Sequence, residues 1–314
     1  MDHQGGAART KTRKIRSGGT SGSGTSLRDF NIFHTPVYVI NLKERADRWK
    51  LFMEQDPSVK TLRIRRENAV NGRQLDYLKD TRISPQSRLN IMRNDRRTHR
   101  EVATMGAIGC SISHANIWRK IVASGVPYAV VMEDDARFDY ALLEKINEVA
   151  TTIPDTAKMW LFGMYKPNMI HEPFPNSKWS KVYQYTASHA YLITREMAKK
   201  LLEQVFPVEM HIDHYMSVMS VLYNMHMVAH SDVFLTFGGL MEKENKARAV
   251  ESNTSQHRKD GCSACHVPDH LSRFYRRVGP KTKAGRIVHG VLREGPSKKV
   301  LTYKSVKAKL KSIE

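Results

Sequence analysis

Three consecutive acidic residues, Glu133-Asp134-Asp135, directly follow an apolar run at residues 128–132. Adjacent carboxylates at the end of a strand repel one another, and a purely structural sequence gains nothing from them. A hard divalent cation removes the repulsion, because carboxylate and phosphate oxygens are its preferred ligands. Glu133 and Asp135 point to the same side of an extended chain, so they are the predicted metal ligands, whereas Asp134 points elsewhere. The structural alternative is a helix N-terminus, which also favours acids.

The elements around this triplet indicate an α/β fold. A β-branched run at 37–40, closed by Asn41, predicts a buried first strand, and 128–132 is the clearest strand in the chain. Alternating strands and helices imply a largely parallel sheet covered on both faces, with ligands bound beyond the carboxyl ends of its strands. Further strands are predicted at 61–70, 159–164, 182–185, 189–193, 225–229 and 233–237. Helices are predicted at 42–55, 105–124, 140–152, 195–205 and 213–223.

Composition divides the chain of 314 residues into a near-neutral middle and two basic ends. Residues 30–240 hold 27 Lys and Arg against 22 Asp and Glu, although the whole chain carries a net charge of +20. We therefore expect a catalytic domain at 30–240, a disordered basic arm at 1–29 and a basic C-terminal extension at 241–314. Order is expected to begin near Pro36, and 71–104 is expected to form an exposed insertion or mobile loop.

The basic ends favour contact with nucleic acid or an acidic partner, or are solvated tails. No apolar run is long enough for a membrane span, and no secretory signal is evident, so a cytoplasmic location is expected. The three cysteines are too few for a disulfide framework. Cys262, Cys265 and His266 allow a small Zn²⁺ site, with unpaired surface thiols as the alternative.

Five blocks in fixed order resemble glycosyltransferase family 25, which includes lipooligosaccharide and procollagen galactosyltransferases. They are Val39 to Leu42 with Arg45 and Arg48, Gly109 to His114 with Trp118, Val130 to Ala136, Ala190 to Thr194, and His211 to Asp213. Together they span about two thirds of the chain. The resemblance implies a glycosyltransferase A-type, Rossmann-like fold, a UDP-sugar donor and Mn²⁺.

The resemblance places the donor near the ends of the first and third predicted strands. Asn41 is expected to meet the nucleotide, and Arg45 and Arg48 to contact its diphosphate. The arginines could instead cap the first helix or pair with nearby acids. Asp134 is expected to reach the ribose or a neighbouring side chain.

Two further segments carry candidate site residues. Ser113 and His114 are adjacent on a helix and point about 100° apart, so they cannot pair as nucleophile and base. We expect them to position the donor or the backbone, with a buried, satisfied His114 as the alternative, and Cys110 to be a small core residue. Asp213 is the candidate base that deprotonates the acceptor, or else it caps the following helix.

These features predict an inverting, metal-dependent transferase that moves a sugar, most simply galactose, from a UDP-sugar to a glycan or protein hydroxyl. A collagen-like protein and a lipopolysaccharide-type glycan both remain open as acceptors. The alternatives are a UDP-glucose-specific transferase on the same fold, or a basic-tailed nucleic-acid-binding or scaffold protein with an inactive transferase domain. The unusual tails would suit a large DNA virus or a microbe.

Overall fold

The computed structural model describes residues 27–93, 96, 98, 100–165 and 169–237. Most of both basic ends, including Cys262, Cys265 and His266, lies outside these residues. No helix in the described ranges is both long and apolar enough to cross a membrane.

The described residues form ten strands and six α-helices, which are named here in chain order. The strands are β1 Pro36–Asn41, β2 Arg63–Asn68, β3 Tyr128–Glu133, β4 Ala136–Arg137, β5 Ala157–Gly163, β6 Ile170–Pro173, β7 Trp179–Gln184, β8 Ala190–Thr194, β9 His226–His230 and β10 Thr236–Phe237. The α-helices are α1 Ala46–Glu54, α2 Pro85–Arg93, α3 Met105–Ser124, α4 Tyr140–Ala150, α5 Arg195–Leu202 and α6 Ile212–Leu222. Three short 3-10 helices complete the set at Leu27–Asp29, Pro57–Thr61 and Gly72–Gln74.

Eight strands form one central sheet in the order β2-β1-β3-β8-β5-β9-β7-β6. β1, β2 and β3 are parallel neighbours, as are β5 and β9, whereas β7 and β8 run against the strands beside them. The sheet is therefore mixed, with six of its eight strands running the same way. The predicted α/β fold with a central sheet between helices is confirmed, and the carboxyl ends of β1 and β3 meet at one edge.

Helices cover both faces of the sheet because its central strands are apolar on both sides. One core joins Tyr38, Val131 and Tyr191 to helices α3, α5 and α6. The other core joins Val130 and Trp160 to helices α1 and α4. The strands are thus held from both faces, which fixes where their carboxyl ends lie.

The expectation of an exposed insertion at 71–104 is wrong for much of that segment. Helix α2 lies within it, and Ile83 and Val102 are buried in a third, smaller core with Ile108 and Ile112 of helix α3. The many charges of the segment hid this core, because its few apolar residues are far apart in the sequence. The ordered chain also begins before Pro36, since Leu27 is already buried.

Helix α3 is held against the loop that precedes α2 by a close approach of two backbones. A Cβ atom at Gly109 would lie 2.3 Å from the carbonyl oxygen of Val70 and 2.7 Å from the amide nitrogen of Gly72. Only glycine allows this contact without a shift of the backbone. The Val70 amide also donates to Ser113 Oγ at 2.8 Å, so the loop is fixed at two points.

Replacing Gly109 with Ala is therefore expected to displace the 70–72 loop and to lower the free energy of unfolding by about 1–3 kcal/mol. Urea unfolding measures this loss. Ser111→Ala on the same helix is the matched control, because the buried Ser111 hydroxyl has no hydrogen-bond partner among the described residues. We expect that control to change stability by about 0.5 kcal/mol or less. Equal losses in both variants would contradict the close-approach explanation.

Candidate functional site

The acidic triplet lies where the carboxyl ends of β1 and β3 meet. Two backbone hydrogen bonds hold it there: the Asp134 amide donates to the Ile40 carbonyl at 3.1 Å, and the Glu133 amide donates to the His189 carbonyl at 2.8 Å. Directly after the triplet, β4 pairs with β10 in a small antiparallel ladder. The backbone on both sides of the carboxylates is thus fixed by long-range contacts.

Arg48 is the main partner of the triplet. Its Nη2 atom lies 2.5 Å from Asp134 Oδ1 and 2.9 Å from Asp135 Oδ2, and only 9% of its side chain is exposed. Burial raises the pKa of Asp134, although the charge of Arg48 opposes that rise. One buried guanidinium therefore bridges two carboxylates that would otherwise repel each other.

Asn41 completes the surroundings of Asp134. Its amide Nδ2 donates to Asp134 Oδ2 at 2.5 Å and to the Arg45 carbonyl at 3.1 Å, while its Oδ1 accepts from the Arg66 guanidinium. Asn41 is almost fully buried. The side chain thus positions Asp134, and its expected contact with the nucleotide stays a prediction. Asp134 therefore contacts a neighbouring side chain, and its contact with the ribose stays a prediction.

Asp135 has a carboxylate oxygen that none of the described residues binds. Its Oδ1 atom is buried and has no hydrogen-bond partner among the described residues. Burial and then the negative charge of Glu133 raise the pKa of Asp135 to about 7, despite the opposing charge of Arg48. An orphaned carboxylate oxygen beside a second carboxylate fits a hard divalent cation such as Mn²⁺.

A cavity of about 240 Å³ opens in front of the triplet. The predicted site residues that line it are Glu133, Asp134, Asp135, Arg45, Arg48 and Ser113. Asn41, His114 and Asp213 are not among the lining residues. The remaining walls come from the β1–α1 connection, the 69–73 loop and the start of helix α3.

Arg45 and Arg48 differ in what they contact, although both line the cavity. Arg45 pairs with Asp47 through two hydrogen bonds of 2.8 and 2.9 Å, one of the alternatives considered from the sequence. Arg45 occupies the N-cap position of α1 without capping the helix through its side chain. Its contact with a diphosphate therefore stays a prediction.

Ser113 and His114 point in different directions, as the helix geometry predicts. Ser113 Oγ donates to the Gly109 carbonyl at 2.7 Å and accepts from the Val70 amide, so it holds the cavity wall. His114 is fully buried, with Nδ1 2.8 Å from Tyr191 Oη and Nε2 3.6 Å from Glu133 Oε1. Burial raises the pKa of Glu133, but His114, His189 and Arg48 outweigh this effect and hold the pKa below its ordinary value.

Asp213 is the second residue of helix α6, whose N-cap is His211. Its Oδ2 accepts from the Ala187 amide at 2.9 Å and its Oδ1 from the His214 amide at 2.7 Å. Burial raises the pKa of Asp213, but the charges of His214 and His211 and these amides hold it below the ordinary value. Its role as base stays a prediction.

One side chain differs from the sequence expectations. Cys110 was expected in the core, but it is half-buried and lines the cavity. Two histidines outside the predicted site, His214 and His230, are buried, and His230 packs its ring 4.8 Å from that of Trp179. The i,i+4 spacing of Cys110 and His114 places both side chains on one face of α3. This spacing was the sequence signal for the position of Cys110 beside His114.

Removing the positive charge of Arg48 would leave two buried carboxylates without their common partner. In metal-free buffer, Arg48→Gln is expected to lower the free energy of unfolding by about 3–5 kcal/mol. The control is Arg45→Gln, whose partner Asp47 is largely exposed and whose loss is expected to cost about 1 kcal/mol or less. Chemical denaturation of both variants tests this, and similar losses would contradict a central role of Arg48.

Comparison with known proteins gives a family match to the middle of the chain. The sequence profile of the family described as "Glycosyltransferase family 25 (LPS biosynthesis protein)" matches residues 34–216. The matched range includes β1, the triplet and Asp213.

Individual relatives also match part of the chain. The chain is 29% identical to procollagen galactosyltransferase 2 of Homo sapiens over 205 residues, which cover 62% of this chain and 31% of that protein. It is 31% identical to a glycosyltransferase 25 family member of Aedes aegypti over 198 residues, which cover 58% of this chain and 30% of that protein. It is 30% identical over 131 residues to a protein of Acanthamoeba polyphaga mimivirus whose name assigns it to the glycosyltransferases. These residues cover 41% of this chain and 37% of that protein. The chain spans about a third of the length of these relatives.

Proposed function

Because the chain belongs to glycosyltransferase family 25, we propose that it transfers a sugar from a UDP-sugar to an acceptor hydroxyl with the help of a divalent cation. The observation that carries this proposal is the cavity at the ends of β1 and β3. The carboxylates of the triplet and Glu44 line it, and Asp135 Oδ1 among them is buried without a hydrogen-bond partner among the described residues. Such a pocket suits a cation and the diphosphate that the cation neutralises.

Glu133 and Asp135 would hold the cation, for which Mn²⁺ is the first candidate. When bound, the cation neutralises the charge that develops on the leaving diphosphate. Arg48 fixes Asp135, one of the two proposed cation ligands, relative to Asp134, so that Asp135 keeps its orientation. Arg45 and Arg73, which also line the cavity, offer positive charge to the diphosphate oxygens.

Asp213 is our candidate for the base of an inverting reaction. Its carboxylate would take the proton of the acceptor hydroxyl while the hydroxyl oxygen attacks the anomeric carbon. The bond from that carbon to the diphosphate oxygen then breaks on the opposite face. The charge of Asp213 contributes to the raised pKa of Cys110, which lines the cavity, after the larger effects of burial and of Glu133.

Galactose is the sugar that the relatives support, because their names include procollagen galactosyltransferases. UDP-glucose on the same fold is the alternative donor. A collagen-like peptide with hydroxylated lysine and a lipopolysaccharide-type glycan are the two acceptor classes to compare. A nucleic-acid contact of the basic tails and a cytoplasmic location stay predictions. The mimivirus relative is compatible with a viral origin of the chain.

A donor screen tests the proposed function. UDP release is measured for UDP-galactose, UDP-glucose and UDP-N-acetylglucosamine, each with both acceptor classes, in Mn²⁺ and in EDTA. We expect release from UDP-galactose with Mn²⁺ and its loss in EDTA. Turnover of UDP-glucose alone would show that the donor is UDP-glucose and not UDP-galactose. Unchanged turnover in EDTA would contradict the proposed role of the metal. No turnover with any donor would favour a scaffold with an inactive transferase domain.

A further inference from the structure

Cys110, His114 and Glu133 form a cluster that the proposed reaction does not use as a set. Their ligand atoms, a thiol sulfur, an imidazole nitrogen and a carboxylate oxygen, all lie within 4.8 Å of one another. Two elements supply them: helix α3 presents Cys110 and His114 one turn apart, and β3 ends at Glu133. The cluster also reaches solvent, because Cys110 and Glu133 line the cavity.

The imidazole of His114 is oriented as a metal ligand would be. Nε2 is buried and makes no hydrogen bond with the described residues, yet it lies 3.6 Å from Glu133 Oε1. Nδ1 lies 2.8 Å from Tyr191 Oη, which also accepts from Trp118 Nε1 at 3.0 Å. A phenol oxygen can accept a hydrogen bond from Nδ1, and that tautomer leaves the Nε2 lone pair available to a cation.

We propose that Cys110, His114 and Glu133 form a second cation site, which takes a thiophilic divalent ion such as Zn²⁺. Thiolate and imidazole favour Zn²⁺, whereas Mn²⁺ favours oxygen ligands such as those of Asp135. Bond lengths of about 2.0–2.3 Å around a tetrahedral ion place ligand atoms about 3.3–3.8 Å apart. The His114–Glu133 separation of 3.6 Å already lies in that range.

Three protein ligands leave the fourth position of a tetrahedral ion open toward the cavity. Binding releases the Cys110 thiol proton to solvent, because the thiolate is the ligand. The site shares Glu133 with the proposed Mn²⁺ position. A bound Zn²⁺ ion would therefore compete with Mn²⁺ for that carboxylate, and this consequence alone rests on the proposed function.

Cobalt(II) titration tests the site directly. The protein is the full chain with Cys262→Ser and Cys265→Ser, which leaves Cys110 as the one cysteine of the sequence. Co²⁺ is expected to produce a near-ultraviolet thiolate-to-cobalt absorption band, and Zn²⁺ to abolish the band by displacement. Adding Cys110→Ser should remove the band and weaken Zn²⁺ binding by more than about 100-fold, beyond the effect of losing an outer-sphere partner.

Two further measurements test the sulfur ligand and separate the Zn²⁺ site from the proposed transferase reaction. Zinc K-edge X-ray absorption of the Cys110-only protein should show one sulfur ligand, so a result without sulfur, or no band at all, would overturn the proposal. Asp135→Asn in the same background should keep the cobalt band while losing Mn²⁺-dependent UDP release. A band without any transferase activity would leave the Zn²⁺ site standing and count against the proposed function alone.

Discussion

Replacing Asp135 with Asn is expected to lower Mn²⁺-dependent sugar transfer by about three orders of magnitude, because a metal contribution of about 4 kcal/mol to the transition state corresponds to that factor. The substitution keeps the shape of the side chain but removes the charge that a cation requires. Asp135 is the member of the triplet with an unpaired buried oxygen among the described residues. Steady-state UDP release at saturating donor and Mn²⁺ measures the change.

The matched control is Asp139→Asn, four residues further along the chain. Asp139 caps helix α4 by accepting from the Leu142 amide at 2.8 Å, and its side chain is exposed. Asn caps helices about as well as Asp, so activity and stability should both remain near those of the original protein. If Asp135→Asn kept full activity that still depended on Mn²⁺, the metal role of Asp135 would be wrong.

Asp213→Asn is expected to reduce transfer by about 100- to 10,000-fold, the range over which a general base contributes. UDP-sugar binding should remain, because Asp213 does not line the cavity in front of the triplet. The two effects are separated by measuring donor affinity by calorimetry and transfer by product formation. Lost donor affinity would instead make Asp213 a donor-binding residue.

A structural role of Asp213 needs its own control, because both of its oxygens accept backbone hydrogen bonds. Glu196 is the second residue of α5, as Asp213 is of α6, and its side chain is exposed. Glu196→Gln therefore removes a charge from the same helical position without touching the cavity. We expect this variant to transfer sugar normally. If the loss of transfer in Asp213→Asn only matched the loss of folded protein, the role of Asp213 as a base would be contradicted.

The sequence predicted the central strands and the place of the triplet because both depend on local signals. The run at 128–132 is continuously apolar and ends at charged residues, and the structure has a buried strand there that ends at Glu133. Gly125 adopts the left-handed conformation with φ of +73° at the end of α3, directly after the end of the helix predicted at 105–124. Parallel pairing of β1 and β3 then brought Asn41 and the triplet together.

The partners of the triplet could not be predicted, since they depend on contacts across the fold. Arg48 pairs with Asp134 and Asp135, although its neighbours in sequence offered nearer acids. Tyr191 reaches His114 from β8 across 77 residues of chain. The core around Ile83 was missed for the same reason, since its apolar partners come from α3 and from Val208. Hydrophobic periodicity predicts which face of a helix or strand is buried, but it does not predict which faces pack against each other.

The central claim is that Glu133 and Asp135 together hold the cation beneath a UDP-sugar. The most direct measurement is a crystal structure of the full chain with Mn²⁺ and UDP, with anomalous diffraction recorded at the manganese absorption edge. We predict one manganese peak in the cavity, within about 2.3 Å of an oxygen of each of these carboxylates and next to the diphosphate. A peak bound by neither carboxylate, or UDP bound in another cavity, would contradict the account.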